Sequence, residues 1–204
     1  MTNLLQYLAN GFLVGGIYSL IALSIVLIYK ATRVFNFAAG EIMLLGGFCC
    51  YSFLDWAGLP VWLSILVTLP IACGIGFMIE RLLLRPLIGQ PTLAAIMMTL
   101  ALSAFLIGVM MPIWSARPRA FPTSLFPGTS LVAGGVIFSI DLLWAFLLAM
   151  IVFALLVWLF QHSKTGLEMR ATAEDHQLAE STGIDVRWIF GLAWGIAAIL
   201  LAFQ

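Results

Sequence analysis

Long apolar runs without a charged residue constrain this chain more than any other feature. Residues 142–161 form one such run, and residues 188–204 form another. Segment 164–187, between them, contains eight of the chain's 18 charged side chains (nine basic and nine acidic). A bilayer core is about 30 Å thick and solvates charge poorly. We therefore expect both runs to enter a membrane and segment 164–187 to lie in water at one of its faces.

Composition extends this prediction to the whole chain. Hydrophobic residues make up 63% of it and charged residues only 9%, whereas about a quarter of the residues in a soluble domain are charged. The formal net charge is zero, so no excess of positive charge indicates a nucleic-acid partner. We predict an all-α fold, a polytopic transmembrane helical bundle that forms a single domain over residues 1–204 within the lipid bilayer.

The apolar runs predict about six membrane spans. The last is incomplete, because only 17 residues remain from Trp188 onward. In the first span, small residues recur every three or four positions, a pattern that suits close helix packing. These residues are Gly11, Gly15, Gly16 and Ser19. The expected spans are residues 4–29, 34–54, 60–79, 92–114, 141–160 and 188–204.

The second run departs from a regular span. Asn36 and Glu41 lie near its start, and several glycines follow them. Polar groups at membrane depth usually face a cavity, where irregular backbone is also tolerated. One interpretation is therefore a broken or re-entrant helix near residues 34–48. The alternative places both polar residues at the interface, with the span beginning near Ile42.

Residues 115–140 contain three prolines and several glycines, which exclude one continuous helix. We expect an extramembrane loop with short extended pieces. Its alternating sequence LVAGGVIFSI is compatible with a short hairpin around Gly134 and Gly135.

Segment 164–187 carries its own folding signals. Thr165 followed by Glu168 fits a capping box at a helix start. Asp175 can cap a second short helix, and Gly183 can end that helix in a left-handed turn. Asp185 can then cap the helix that re-enters the membrane. These signals predict two short surface helices and a tight turn, whereas the alternative is an ordinary ordered loop.

The basic residues set the expected orientation. With six alternating spans, one side of the membrane holds seven of the nine basic residues, and the other holds only Arg117 and Arg119. The positive-inside rule makes the richer side cytoplasmic. That side includes segment 164–187, so the N-terminus is expected outside.

The sequence has no pattern typical of a catalytic or metal centre. His162 and His176 lie far apart, and Cys49, Cys50 and Cys73 lack the spacing of metal ligands. Motifs for nucleotide binding and for nucleophilic catalysis are absent as well. We therefore expect no catalytic residue, no metal ion and no cofactor on this chain.

Two blocks carry a resemblance to a known family. Residues 11–48, GFLVGGIYSLIALSIVLIYKATRVFNFAAGEIMLLGGF, contain the pattern GxxxGxxYxLxAL, then LIY and NFAxGE. The later block, TGLEMRATAEDHQLAESTGID, contains the pattern GxxxRAxAxDxxxAxxxGI. In this order and spacing, the two blocks resemble the permeases of branched-chain amino acid ABC importers.

The resemblance implies transport by alternating access in a bacterial inner membrane. This chain would pair with a second permease subunit, identical or related. A periplasmic binding protein would deliver an amino acid, and two cytoplasmic ATPase subunits would bind ATP and Mg²⁺. Segment 164–187 matches the family's coupling segment, with the ATPase-contact candidates Glu168, Arg170, Ala171, Asp175, Glu180 and Gly183. The candidates for the translocation path or its gate are Asn36, Gly40 and Glu41.

Several alternatives stay open. Similar permeases carry urea and short-chain amides. An ion-coupled secondary carrier, with Glu41 as the titrating group, needs no ATPase, and a membrane scaffold needs no transport. Ala39 stands where the family often has histidine or another polar residue, so no role is transferred to it. Family members also continue through further spans, and we therefore expect this chain to be a truncated form of the family domain.

Overall fold

The structure is a computed structural model that describes residues 2–115, 131–133 and 136–203. Within these residues the chain forms eight α-helices and one small hairpin. The elements are α1 (Thr2–Thr32), α2 (Ala39–Asp55), α3 (Val61–Ile79), α4 (Thr92–Trp114), β1 (Leu131–Ala133), β2 (Val136–Phe138), α5 (Ile140–His162), α6 (Lys164–Glu174), α7 (His176–Ser181) and α8 (Val186–Ala202). Helix α3 continues as a π turn over Glu80–Leu84 and a 3₁₀ turn over Arg85–Leu87.

The predicted polytopic helical bundle is confirmed. Among the described residues, α1, α3 with its extension, α4 and α5 are each long and apolar enough to cross a membrane. Helix α8 is a shorter apolar helix of 17 residues, and α2 also has 17 residues. These six helices coincide with the six predicted spans. Their outer faces expose large apolar side chains, such as Phe12, Leu66, Phe105 and Trp158, which suit contact with lipid.

The irregular backbone predicted near residues 34–48 lies at the start of that range. Helix α1 ends at Thr32, and residues 33–38 are not helical. Arg33 adopts a left-handed conformation with φ of 57°, which turns the chain out of α1. Helix α2 then runs without interruption from Ala39 to Asp55, including its three glycines.

The two strands of the hairpin that the sequence allowed in the proline-rich region are present. Strands β1 and β2 pair antiparallel, with Val132 opposite Ile137. The turn residues Gly134 and Gly135 lie outside the described residues, as does the loop expected over residues 116–130.

Helix α8 is the centre of the bundle. It packs against α1, α2, α3 and α6, and most of its side chains are buried, including Ile189, Trp194 and Leu201. Such close packing in a membrane favours small residues, because they let two backbones approach each other.

Glycines on the neighbouring helices meet this requirement. A Cβ atom at Gly76 of α3 would lie 2.5 Å from the Trp194 carbonyl oxygen of α8. A Cβ atom at Gly46 of α2 would lie 2.5 Å from the Ala202 Cβ atom, at the other end of α8. Two glycines therefore set the distances at which α2 and α3 approach α8.

The small residues predicted to pack on α1 differ in their surroundings. The ring of Phe146 on α5 occupies the space beside Gly16. Nothing within the described residues comes within 4 Å of a Cβ atom at Gly11 or Gly15. Ser19 donates its hydroxyl to the Gly16 carbonyl at 2.6 Å, within the same helix. Packing within this chain therefore uses Gly16, and a packing role for Gly11 and Gly15 stays a prediction.

The α3–α8 contact leads to a prediction with a matched control on the same helix. Gly76→Ala should lower the free energy of unfolding by about 1–3 kcal/mol, because the added methyl group meets the α8 backbone. Gly74→Ala should leave stability unchanged or slightly higher, because a Cβ atom there meets nothing within 4 Å in the described structure. Thermal unfolding of the purified protein in detergent measures both. Equal midpoints for the two variants would contradict the α3–α8 packing.

Candidate functional site

Helix α6 opens segment 164–187 and is capped by Ser163. This residue has an extended backbone, and its hydroxyl oxygen accepts the Gly166 N–H at 2.9 Å. The capping box predicted at Thr165 and Glu168 is therefore wrong, because the helix begins earlier, at Lys164. Thr165 lies inside the first turn and not at its boundary.

The other three folding signals of the segment are confirmed. The Asp175 carboxylate accepts the Leu178 N–H at 3.1 Å and caps α7. Gly183, with φ of +87°, ends α7 in a Schellman motif. In this motif the Ile184 N–H donates to the Ala179 carbonyl at 3.1 Å. Asp185 then accepts the backbone N–H groups of the first residues of α8, both at 3.1 Å.

Buried residues fix the segment to the membrane helices. Met169 and Thr172 of α6 are fully buried, and Met169 belongs to the same apolar core as α1 and α8. A Cβ atom at Gly166 would lie 2.5 Å from the Phe160 carbonyl oxygen, so the start of α6 sits directly against the end of α5. Ala179 of α7 packs with Val186 and Phe190 of α8 in a second cluster.

Two arginines tie other connections of the bundle to the segment. Arg33, after α1, donates its Nε–H to the Ala173 carbonyl of α6 at 2.8 Å. Arg85, after the π turn of α3, donates from Nη2 to the Arg187 carbonyl of α8 at 3.3 Å. The α1–α2 connection, the α3–α4 connection and segment 164–187 therefore lie at the same end of the bundle.

The coupling candidates lie mainly on the outer face of the segment. Arg170, Asp175, Glu180 and Gly183 are exposed, while Glu168 and Ala171 are partly buried. Two leucines are exposed beside them, Leu167 at 61% and Leu178 at 64%. An exposed surface that mixes charged and apolar side chains on a fixed backbone is suited to binding another protein.

The path candidates have three different environments. Asn36 is buried, and its Oδ1 accepts the Ala38 N–H at 3.0 Å, which shapes the turn before α2. Its Nδ2 has no hydrogen-bond partner among the described residues. Gly40 is exposed, and Glu41 lies half-buried in the first turn of α2, where the helix dipole favours a negative charge. The structure brings these residues to one helix start and does not place them around a common ligand.

Sequence reasoning missed the importance of Glu80. This carboxylate is completely buried, and its Oε1 accepts the Arg85 Nε–H at 3.4 Å. The ion pair joins residues five positions apart, although Arg81 directly follows Glu80 in the chain. The π turn explains the difference: Pro86 has no N–H and its ring crowds the preceding turn, so the helix widens and the Arg85 N–H bonds to the Glu80 carbonyl.

Comparison with known proteins settles the family. A family model described as the permease component of branched-chain amino acid transport systems matches residues 7–203. The chain belongs to this permease family. The permease is thus a membrane transport component and not an enzyme.

Individual relatives match over most of the permease. It is 29% identical to the high-affinity branched-chain amino acid transport system permease protein BraD of Pseudomonas aeruginosa, over 97% of this chain and 68% of that protein. It is 28% identical to the corresponding LivH protein of Escherichia coli, with the same two coverages, 97% and 68%. A probable branched-chain amino acid transport permease protein, LivH of Methanocaldococcus jannaschii, is 29% identical over 91% of this chain and 62% of its own length. No solved structure matches the permease.

The Ser163 cap of the permease can be tested against the residue that the sequence favoured. Ser163→Ala should destabilise α6 by about 1 kcal/mol, because the Gly166 N–H loses its acceptor. Thr165→Ala, two positions later, should have a much smaller effect, since its hydroxyl does not cap the helix. Hydrogen exchange of the α6 amides measures the difference. Faster exchange in Thr165→Ala than in Ser163→Ala would contradict the assignment.

Proposed function

We propose that this chain is the membrane-spanning permease subunit of an ATP-driven importer of branched-chain amino acids, and that segment 164–187 binds the cytoplasmic ATPase. The observation that carries the proposal is the construction of this segment. It combines buried anchors (Met169, Thr172 and Ala179) with exposed charges (Arg170 and Glu180) on two capped helices.

This construction suits the transmission of movement. A force applied to α6 or α7 would move each helix as a rigid unit, because both helices are capped and pack on the core. Asp185 joins the segment to α8 through two backbone hydrogen bonds. Helix α8 in turn contacts α1, α2 and α3. Movement of the segment would therefore reach the helices around the start of α2, where the path candidates Asn36, Gly40 and Glu41 lie.

The proposed orientation places segment 164–187 in the cytoplasm and the N-terminus outside. Arg33, Arg85 and Arg187 meet at one end of the bundle through the contacts to the segment. Lys30, Arg81, Lys164 and Arg170 belong to the same connections, which makes this end the basic one. The positive-inside rule places such an end on the cytoplasmic side of a bacterial inner membrane.

The proposed assembly follows from this orientation. Two permease subunits, identical or related, enclose the path, and two ATPase subunits bind ATP and Mg²⁺ below the coupling segments. A periplasmic binding protein supplies the substrate from the other side. Branched-chain amino acids are the proposed substrates, because the names of the relatives from Pseudomonas and Escherichia describe transport of this class.

Charge reversal on the outer face of the segment tests the proposed function. Arg170→Glu together with Glu180→Lys should lower ATP-dependent leucine uptake by about tenfold or more, since loss of roughly 1.4 kcal/mol of docking energy already gives that factor. Both side chains are exposed, so the fold should tolerate the change. Uptake into proteoliposomes that contain the whole transporter measures the effect.

The control variant carries its change at the other end of the bundle. Asp55 is exposed at the end of α2, away from the segment, and Asp55→Asn should keep normal uptake. Wild-type uptake by the doubly reversed variant would refute the coupling role of this face. Uptake that persists without any ATPase subunit would refute ATP-driven import itself.

A further inference from the structure

A cavity of about 370 Å³ lies at the same end of the bundle as segment 164–187. Its wall comes from the end of α1, the π turn of α3, the start of α4 and the buried helix α8. This volume is within the range of small-molecule sites, about 300–1,000 Å³. The lining residues that matter for its chemistry are Arg33, Glu80, Leu84, Ile88, Phe190 and Trp194.

Two of the lining residues, Glu80 and Trp194, each have a buried polar atom without a partner among the described residues. The Glu80 side chain is 0% exposed, and its Oε2 has no hydrogen-bond partner among the described residues. Trp194 is 1% exposed, and its Nε1–H is likewise without an acceptor in the described part of the chain. Buried polar groups in native proteins are almost always satisfied, so each orphan needs an explanation. Glu80 Oε2 is a carboxylate oxygen, which accepts hydrogen bonds, and Trp194 Nε1–H is a hydrogen-bond donor.

The rest of the cavity adds a positive charge and an apolar surface. Arg33 uses its Nε–H for the Ala173 carbonyl, which leaves its terminal nitrogens for another acceptor. Leu84, Ile88 and Phe190 supply apolar lining. A simple amine would leave Arg33 unmatched, and a simple anion would be repelled by Glu80. A small zwitterion with an aliphatic side chain matches all of these groups.

We propose that this cavity binds a free aliphatic amino acid. Its ammonium group pairs with Glu80 Oε2, its carboxylate accepts from Arg33 and Trp194, and its side chain packs on the apolar lining. The site lies within one subunit, at the coupling end. The choice of ligand rests on the proposed function, because it takes the transported class of molecule as the one present.

Occupancy of this site is linked to the coupling segment. Glu80 is 0% exposed and its Oε1 is paired with Arg85, so the ammonium group reaches Oε2 only when the side chains packed around this carboxylate move. Arg85 also holds the Arg187 carbonyl at the start of α8, and Arg33 holds the Ala173 carbonyl of α6. Both arginines that bind the segment therefore lie in or beside the site, because Arg33 lines the cavity and Arg85 pairs with Glu80.

Equilibrium binding to the whole transporter tests the inference. The complex is placed in phosphatidylcholine nanodiscs without the periplasmic binding protein, and binding of radiolabelled leucine is measured. Leucine should bind saturably. Both 3-methylbutylamine, which lacks the carboxylate, and 4-methylpentanoate, which lacks the ammonium group, should compete at least about tenfold more weakly, because each leaves a charged partner unsatisfied. Competition by either compound as strong as that of leucine would overturn the zwitterion site.

Variants locate the binding. Glu80→Gln should weaken leucine binding by about tenfold or more, since it removes the charge that meets the ammonium group. Ala95→Leu, in the cavity wall, should block the site without changing charge. Lys30 and Asp55 are exposed charged residues outside the cavity lining, so the variants Lys30→Gln and Asp55→Asn should bind leucine normally. If the Ala95→Leu variant does not assemble into the transporter, competition by the two leucine analogues on the unmodified protein still tests the zwitterion site.

The outcomes separate this inference from the proposed function. Normal leucine uptake together with wild-type leucine binding by Glu80→Gln would overturn the cavity site and leave the importer intact. Absence of branched-chain amino acid uptake with the binding protein present would instead overturn the proposed function. The headgroup of phosphatidylethanolamine is also a zwitterion. Recovery of this lipid with the wild-type complex but not with Glu80→Gln, without leucine binding, would assign the site to lipid and reject the amino acid.

Discussion

Close contact between the buried helix α8 and its neighbours α2 and α3 supports the rest of this structure. Lipid is as apolar as the helix side chains, so burial of apolar surface alone does not hold membrane helices together. Dispersion contacts at short distance have to do so, and Gly46 and Gly76 permit them. Helix α8 also contacts α1 and α6, so a change in the position of α8 would alter the packing of four neighbouring helices.

Segment 164–187 is joined directly to this central helix. Asp185 caps α8, and Ala179 of α7 packs on the first turn of α8. Arg33 and Arg85 add contacts from two other connections, and both donate to backbone carbonyls of α6 or α8. Arginines that the sequence analysis used only to predict orientation thus also hold the segment in place. The basic residues that concentrate at this end of the bundle therefore include two that attach the segment to the helices.

Local signals predicted much of this arrangement from the sequence. Apolar runs placed all six long helices, and Asp175, Gly183 and Asp185 marked helix boundaries, because capping depends on residues close in the chain. The capping box failed because Ser163 and Thr165 are both competent caps. The structure uses Ser163, and Gly166, whose N–H that side chain accepts, lies directly against the end of α5.

The features that the sequence did not reveal all depend on packing between distant residues. Helix α8 looked like a short final span, yet it is the most buried helix described, since α1, α2, α3 and α6 surround it. The pairing of Glu80 with Arg85 follows from the π turn before Pro86, which a regular helix pattern does not predict. The cavity beside Glu80 requires four helices to meet, and no local motif marks it.

Site-specific photo-crosslinking tests the central claim most directly. A photoreactive amino acid is introduced at position 180, on the outer face of segment 164–187, or at position 55, at the other end of the bundle, in the assembled transporter. The account predicts a crosslink to the ATPase subunit from position 180 and none from position 55. No ATPase crosslink from position 180, or an equally strong one from position 55, would contradict it.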